Sequence, residues 1–209
     1  MTEEETYGGP RYVPQIDGKR GMIVTEEAAR ALAEPGFPIK KASVFFRNLV
    51  IGGYVHPYSR QRSGKRAYYF KPDQVVIAAI LHRMGQAGAN GEEQRRAASQ
   101  ALSSANLDAM GMTPANIETA PPGALMSPAM KVLLSYLDGQ RNFCFELATQ
   151  RDTTRGDILH TARVRQAGDR DANFGSKFIL QEGSVIDSVF AVDLDPVLAH
   201  LTRPREALN

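Results

Sequence analysis

Apolar residues recur at helical spacing from Ala28 to Leu137, interrupted by one short β-prone stretch, and from Phe143 onward they recur at a spacing of two. A period near 3.6 cannot settle as a strand, and a period of two cannot settle as a helix. The chain therefore reads as α+β, helical first and sheet-forming later. In the later part Phe143, Phe145 and Leu147 alternate with Asn142, Cys144 and Glu146, and Ile158, His160, Ala162 and Val164 form a second run. Ile186, Phe190, Val192 and Leu194 form a third, and with Lys177–Gln181 the pattern predicts about four antiparallel strands. A short last helix is expected after Asp195-Pro196.

Punctuation divides the helical part. Thr25 reads as the N-cap of a first helix with Glu26 and Glu27 in its first turn, and Pro35-Gly36 stops it. Pro38 suits the first turn of a second helix at about 38–51, ended by Gly52-Gly53, with Val44, Phe45 or Phe46, and Leu49 turned inward. Tyr54–His56 and Ala67–Phe70 flank a polar, glycine-containing tip and predict a hairpin. Pro72-Asp73 opens a third helix, a fourth runs from Glu92 to about Ala105, and Ser127-Pro128 caps a fifth that ends at Gly139. Pro and Gly crowd Gly111–Pro128. The expected organisation is a loose arm at 1–20, a first domain at 21–110, a linker at 111–127 and an α+β domain at 128–209, the last for dimerisation or effector binding.

Charge is unevenly spread. The net charge is +2, yet Arg11–Lys71 holds twelve Lys/Arg against four acids, a local +8. A positive head on a mildly acidic body is the electrostatic footprint of a nucleic-acid binder. Its order of elements, helix, tight turn, helix, basic hairpin, helix, is that of a winged helix-turn-helix. In that arrangement the second helix enters the major groove, where base edges are distinguishable. Lys40, Lys41, Ser43, Arg47 and Asn48 are its candidate DNA-contacting residues, with Lys40, Ser43 and Arg47 on a shared face. In the hairpin Arg60, Arg62, Lys65 and Arg66 interleave with polar residues between Tyr58 and Tyr68, a mixture suited to phosphates.

Residues 22–85 resemble the head of the MerR-type regulators. In that family the second helix ends in Ile-Arg-Tyr-Tyr-Glu-x-x-Gly-Leu-Ile-x-Pro, followed by an Arg-containing wing, Tyr-Arg-x-Tyr, and an Asp that opens the next helix. Here Phe46-Arg47 and Gly53-Tyr-Val-His-Pro57 stand in that order, with Arg66-Ala-Tyr68 in the wing and Asp73 after it. Asn48-Leu49-Val50 stand where the family has Tyr-Tyr-Glu, and no long heptad helix follows the head. The resemblance implies phosphate contacts from Arg62, Arg66 and Tyr68 and groove reading around Arg47.

Other chemistry is not signalled. The longest apolar run, Val75–Leu81, is seven residues, too short to span a bilayer, and the acidic N-terminus lacks the pattern of a signal peptide, so a cytoplasmic protein is expected. One cysteine, Cys144, excludes an intrachain disulfide and a Cys-pair metal site, and His56, His82, His160 and His200 show no ligand spacing. Asp193 and Asp195 read as a strand end and an N-cap rather than a cation site. No catalytic arrangement, metal or cofactor is expected. The expectation is a transcriptional regulator that binds double-stranded DNA as a homodimer, with RNA polymerase or a small-molecule effector as further candidate partners. A DNA-architecture, packaging or recombination accessory protein is the alternative.

Overall fold

The computed structural model describes residues 13–14, 22–60, 68–104, 126–167, 178 and 180–205, with 13–14, 59–60 and 204–205 described by their backbone. Most of the expected arm and linker and the tip of the hairpin lie outside the described residues. The described elements run β1 (Val13–Pro14), β2 (Ile23–Val24), α1 (Thr25–Leu32), α2 (Ile39–Ile51), β3 (Ser59–Arg60) and β4 (Tyr68–Phe70). They continue with α3 (Pro72–Gln86), α4 (Glu92–Ser103), α5 (Pro128–Leu137), β5 (Phe143–Asp152), β6 (Ile158–Gln166), β7 (Ser184–Asp193), α6 (Asp195–Thr202) and β8 (Pro204–Arg205). The class is mixed α+β. Every sheet pairing is antiparallel: β1–β8, β2–β4–β3 and β6–β5–β7.

The third helix organises the core. Residues Pro72–Leu81 and Met84 of α3 are all buried, so this helix is covered on every side instead of presenting one apolar stripe. That burial accounts for the seven-residue apolar run: it is a core helix surrounded by α1, α4, α5 and α6. Buried side chains from Ile23 in β2 to Leu201 in α6 form one cluster, with contributors on both sides of residues 105–125. Ser127 joins the two sides. Its Oγ accepts from the Met130 N–H at 3.2 Å, capping α5, and donates to Asp73 Oδ2 at 2.6 Å.

In the C-terminal sheet β5 lies between β6 and β7. One face sends Phe143, Phe145 and Leu147 into the helical core, beside Ala162 and Val164 of β6 and Phe190 and Val192 of β7. On the other face Glu146 is buried and accepts from Arg163 Nε at 2.8 Å and Arg165 Nε at 2.5 Å. Burial pushes its carboxyl up, but the hydrogen bonds from Arg165 and Arg163 outweigh that and hold it below its ordinary 4.5. An unfolded chain binds the proton first, so this contribution is complete above pH 4.5 and is lost as pH falls through the lowered value. Glu146→Gln should cost about 1–2 kcal/mol at neutral pH, since both arginines can turn to water. Urea melts of the two proteins should converge below pH 4.5, and a gap that stays constant across that range would contradict the assignment.

Several expectations change. Thr25 is the first residue of α1, not its cap: the N-cap position is Val24, whose N–H donates to Glu27 Oε2 at 3.1 Å. Pro38 likewise precedes α2 as its N-cap. Tyr54–His56 is not a strand, because the Tyr54 and Val55 N–H groups both turn back to Leu49 O and close α2. Phe178, Leu180 and Gln181 lie outside any strand, so the C-terminal sheet has three strands among the described residues. Asp195 does not cap α6 with its side chain. Its carboxylate accepts from the Asn142 and Phe143 N–H groups at 2.7 and 3.1 Å, tying α6 to the start of β5.

Candidate nucleic-acid interface

The outer face of α2 is built from its two ends inward. Ahead of it, Glu34 and Phe37 exchange backbone hydrogen bonds at 3.1 and 2.8 Å around Gly36, whose φ of +83° suits glycine. Glu34 also accepts from Arg83 Nη2 of α3 at 2.6 Å, and Phe37 stacks on His82 at 3.8 Å, with Phe45 edge-on to the same ring. Burial lowers the His82 pKa, and Arg83 adds to that, while Glu34 pulls the other way; the result lies below 6.5 and leaves the ring neutral at neutral pH. After α2, Gly53 takes φ +71° and lets the chain reverse, as is common just past a helix end. At Gly52 a Cβ would stand 2.6 Å from the Tyr54 ring. Both ends of α2 are therefore held by specific packing.

Between those ends Ala42, Phe46 and Leu49 point inward and are buried. Lys40, Lys41, Arg47 and Asn48 are exposed, and Ser43 is half-buried at the margin. Val44 was expected inside and is 56% exposed. The inward face is fixed by Phe46, and a residue two positions away lies about 200° around the helix. Ile51, at 78% exposed, falls in line with Lys40, Val44 and Arg47. The sequence reading missed both apolar members of this face. Their common spacing of four, three and four from Lys40 was the available signal.

The second component is the small sheet. Strand β4 pairs on one side with β3, placing Arg60 opposite Tyr68, and on the other with β2, placing Ile23 opposite Phe70. The Tyr58 N–H donates to Tyr69 O at 2.8 Å, and Lys71 Nζ lies 5.0 Å from the exposed Tyr58 ring. Tyr68 is half-buried against the core. Arg62, Lys65 and Arg66 lie outside the described residues, as does the Arg60 side chain.

No metal cluster of three His, Cys, Asp or Glu exists among the described residues. Cys144 is half-buried, and burial, then Glu146, pushes its thiol up, away from reactivity. No described helix is long and apolar enough to cross a membrane. Compared with known protein families, with characterised proteins and with solved structures, the chain matches none of them.

Proposed function

We propose that this chain is a sequence-specific double-stranded-DNA-binding regulator, with β2 to α3 acting as a winged helix-turn-helix related in plan to the MerR-type head. The observation that carries the reading is the outer face of α2, where Lys40, Arg47 and Asn48 flank exposed Val44 and Ile51. Solubility explains the cations but not two exposed aliphatic side chains among them. In a major groove the cations meet phosphates and guanine acceptors, and the aliphatic groups meet thymine methyls. The strand pair β3–β4 follows α2 directly, as a wing does, and the sequence between the two strands holds Arg62, Lys65 and Arg66. Arg60, Arg62, Lys65, Arg66, Tyr58 and Tyr68 serve the backbone, and Lys40, Lys41, Ser43, Arg47 and Asn48 the groove.

A homodimer suits such a head, since two half-sites one helical turn apart multiply affinity. Strand β7 offers the surface. Its outer edge pairs with nothing among the described residues, it contains neither Lys nor Pro to blunt it, and Val185, Ile186 and Val189 are exposed.

The test is selection of bound fragments from a genomic DNA library by the purified protein, beside a Lys40→Ala/Arg47→Ala variant. The expected result is a compact inverted repeat bound by the parent protein, with affinity for it reduced about tenfold or more in the variant. Bound fragments sharing no motif would favour the architectural alternative, and absence of binding would end the DNA reading.

A further inference from the structure

A closed ring of side chains ties α3 to the turn ahead of α2. Arg83 donates from Nη2 to Glu34 Oε2 at 2.6 Å and from Nη1 to Gln86 Oε1 at 2.8 Å. A guanidinium can only donate, so the Gln86 oxygen faces Arg83 and the Gln86 amide nitrogen faces away from it. That nitrogen lies 3.1 Å from His82 Nε2 and 3.3 Å from Glu34 Oε1, and its two N–H groups serve these two acceptors. His82 Nε2 therefore offers a lone pair, and the imidazole is the neutral tautomer with its proton on Nδ1. The site is enclosed: Phe37 stacks on the imidazole, Phe45 meets it edge-on, and the His82 and Glu34 side chains are only 14% and 13% exposed. A proton added at Nε2 would set an imidazolium N–H against a Gln86 N–H. Gln86 cannot turn its amide over without aiming an N–H at Arg83. The acceptor at hand is Glu34 Oε1, 3.5 Å from Nε2, longer than a good hydrogen bond until it moves. Glu34 does not move alone, because its backbone exchanges two hydrogen bonds with Phe37, just ahead of α2.

We propose that His82 is a pH-sensitive latch on α2: the neutral imidazole locks the turn ahead of that helix, and protonation at Nε2 draws Glu34 Oε1 off Gln86 and shifts the turn. Among the described residues Glu34 and Phe37 face the imidazole from the turn, uncharged Phe45 from α2, and Arg83 and Gln86 from α3. Glu34 and Arg83 are the charged groups that act on it. Burial is the largest influence and opposes the added proton, Glu34 favours it, and Arg83 opposes it. An unfolded chain takes up the proton first, so stability should fall as pH drops below 6.5 and level off once the folded protein is protonated too. The latch stands on the packing of α2, whatever α2 binds.

A nuclear magnetic resonance pH titration of the full chain, following the His82 ring protons and the amides of Glu34, Gly36, Phe37 and Ile39, tests the latch. The His82 ring is expected to titrate below pH 6.5, and these amides should shift with the same midpoint. Gln86→Ala removes the donor to the lone pair and frees Glu34 Oε1, so it should raise that midpoint. In His82→Phe, which keeps an aromatic ring for Phe37 and Phe45 but cannot titrate, the amide shifts should vanish. A His82 ring that titrates at or above 6.5, or amides that do not follow it, overturns the latch. Both results are read on the parent protein and do not depend on how well a variant folds. Amide shifts that persist in His82→Phe overturn it as well. The consequence for DNA rests on the proposed function: between pH above and below the His82 midpoint, affinity for the selected site should change in the parent protein by an amount that His82→Phe does not show. An equal change in both proteins overturns that coupling, while absence of DNA binding at every pH overturns the earlier reading instead.

Discussion

Phe46→Ala is expected to destabilise the protein by about 3–5 kcal/mol, a large part of the total stability of an ordinary domain. Phe46 is 0% exposed and meets Phe70 edge to face at 4.8 Å, so its ring helps join α2 to the small sheet. Truncation removes the transfer free energy of the ring and leaves a cavity walled by Phe70, which α2, held at both ends, cannot close. In a chain of this length the melting temperature should fall by roughly 10 °C or more. Val44→Ala makes the control. Two residues away but 56% exposed, it should change stability by less than about 0.5 kcal/mol. Calorimetric melts separate the two cases. If Phe46→Ala lost under about 1.5 kcal/mol, the packing of α2 described above would be wrong. DNA binding adds a second contrast, since Val44→Ala should lower affinity for the selected site while leaving the melt untouched.

The elements that were legible in the sequence are those whose signal is local. Helix α2 was bounded to within a residue because Pro38 fixes its start and Gly52-Gly53 its end. Helix α3 could be read from Pro72 and its apolar run, and β5, β6 and β7 from apolar residues spaced by two. What failed depends on tertiary context. Tyr54–His56 has the composition of a strand but is drawn into the helix end by two bonds to Leu49 O. Ile23–Val24 is too short to announce itself and becomes a strand only because β4 lies beside it. Val44 was turned inward because it is apolar, although the register set by Phe46 and Leu49 puts it outside. The candidate cations of α2 were legible as types and spacing. The contact of Ser127 with Asp73 was not, because 54 residues separate its two ends and only the packing of α5 on α3 brings them together.

Ser127→Ala is the other substitution expected to cost heavily for its size, about 2–4 kcal/mol for the loss of one oxygen. Part is the cap: Ser127 Oγ is the acceptor for the Met130 N–H, and such a loss costs about 1 kcal/mol. The rest comes from Asp73, whose Oδ1 already lacks a partner and whose Oδ2 would then lack one too among the described residues, leaving a buried carboxylate short of donors. An unsatisfied buried group costs about 1–3 kcal/mol, and more when it is charged. A double-mutant cycle with Asp73→Ala separates the parts. Once the carboxylate is gone, Ser127→Ala should cost only the cap, so the two substitutions should fall short of additivity by about 1–3 kcal/mol. Simple additivity would mean that the 2.6 Å contact contributes nothing. Because the contact spans 54 residues and one apolar cluster includes both its ends, the loss should appear as a downward shift of a single transition, not as separate melting of α5. An early, separate phase in the circular dichroism melt would instead show that the segment beyond residue 126 unfolds independently of α3.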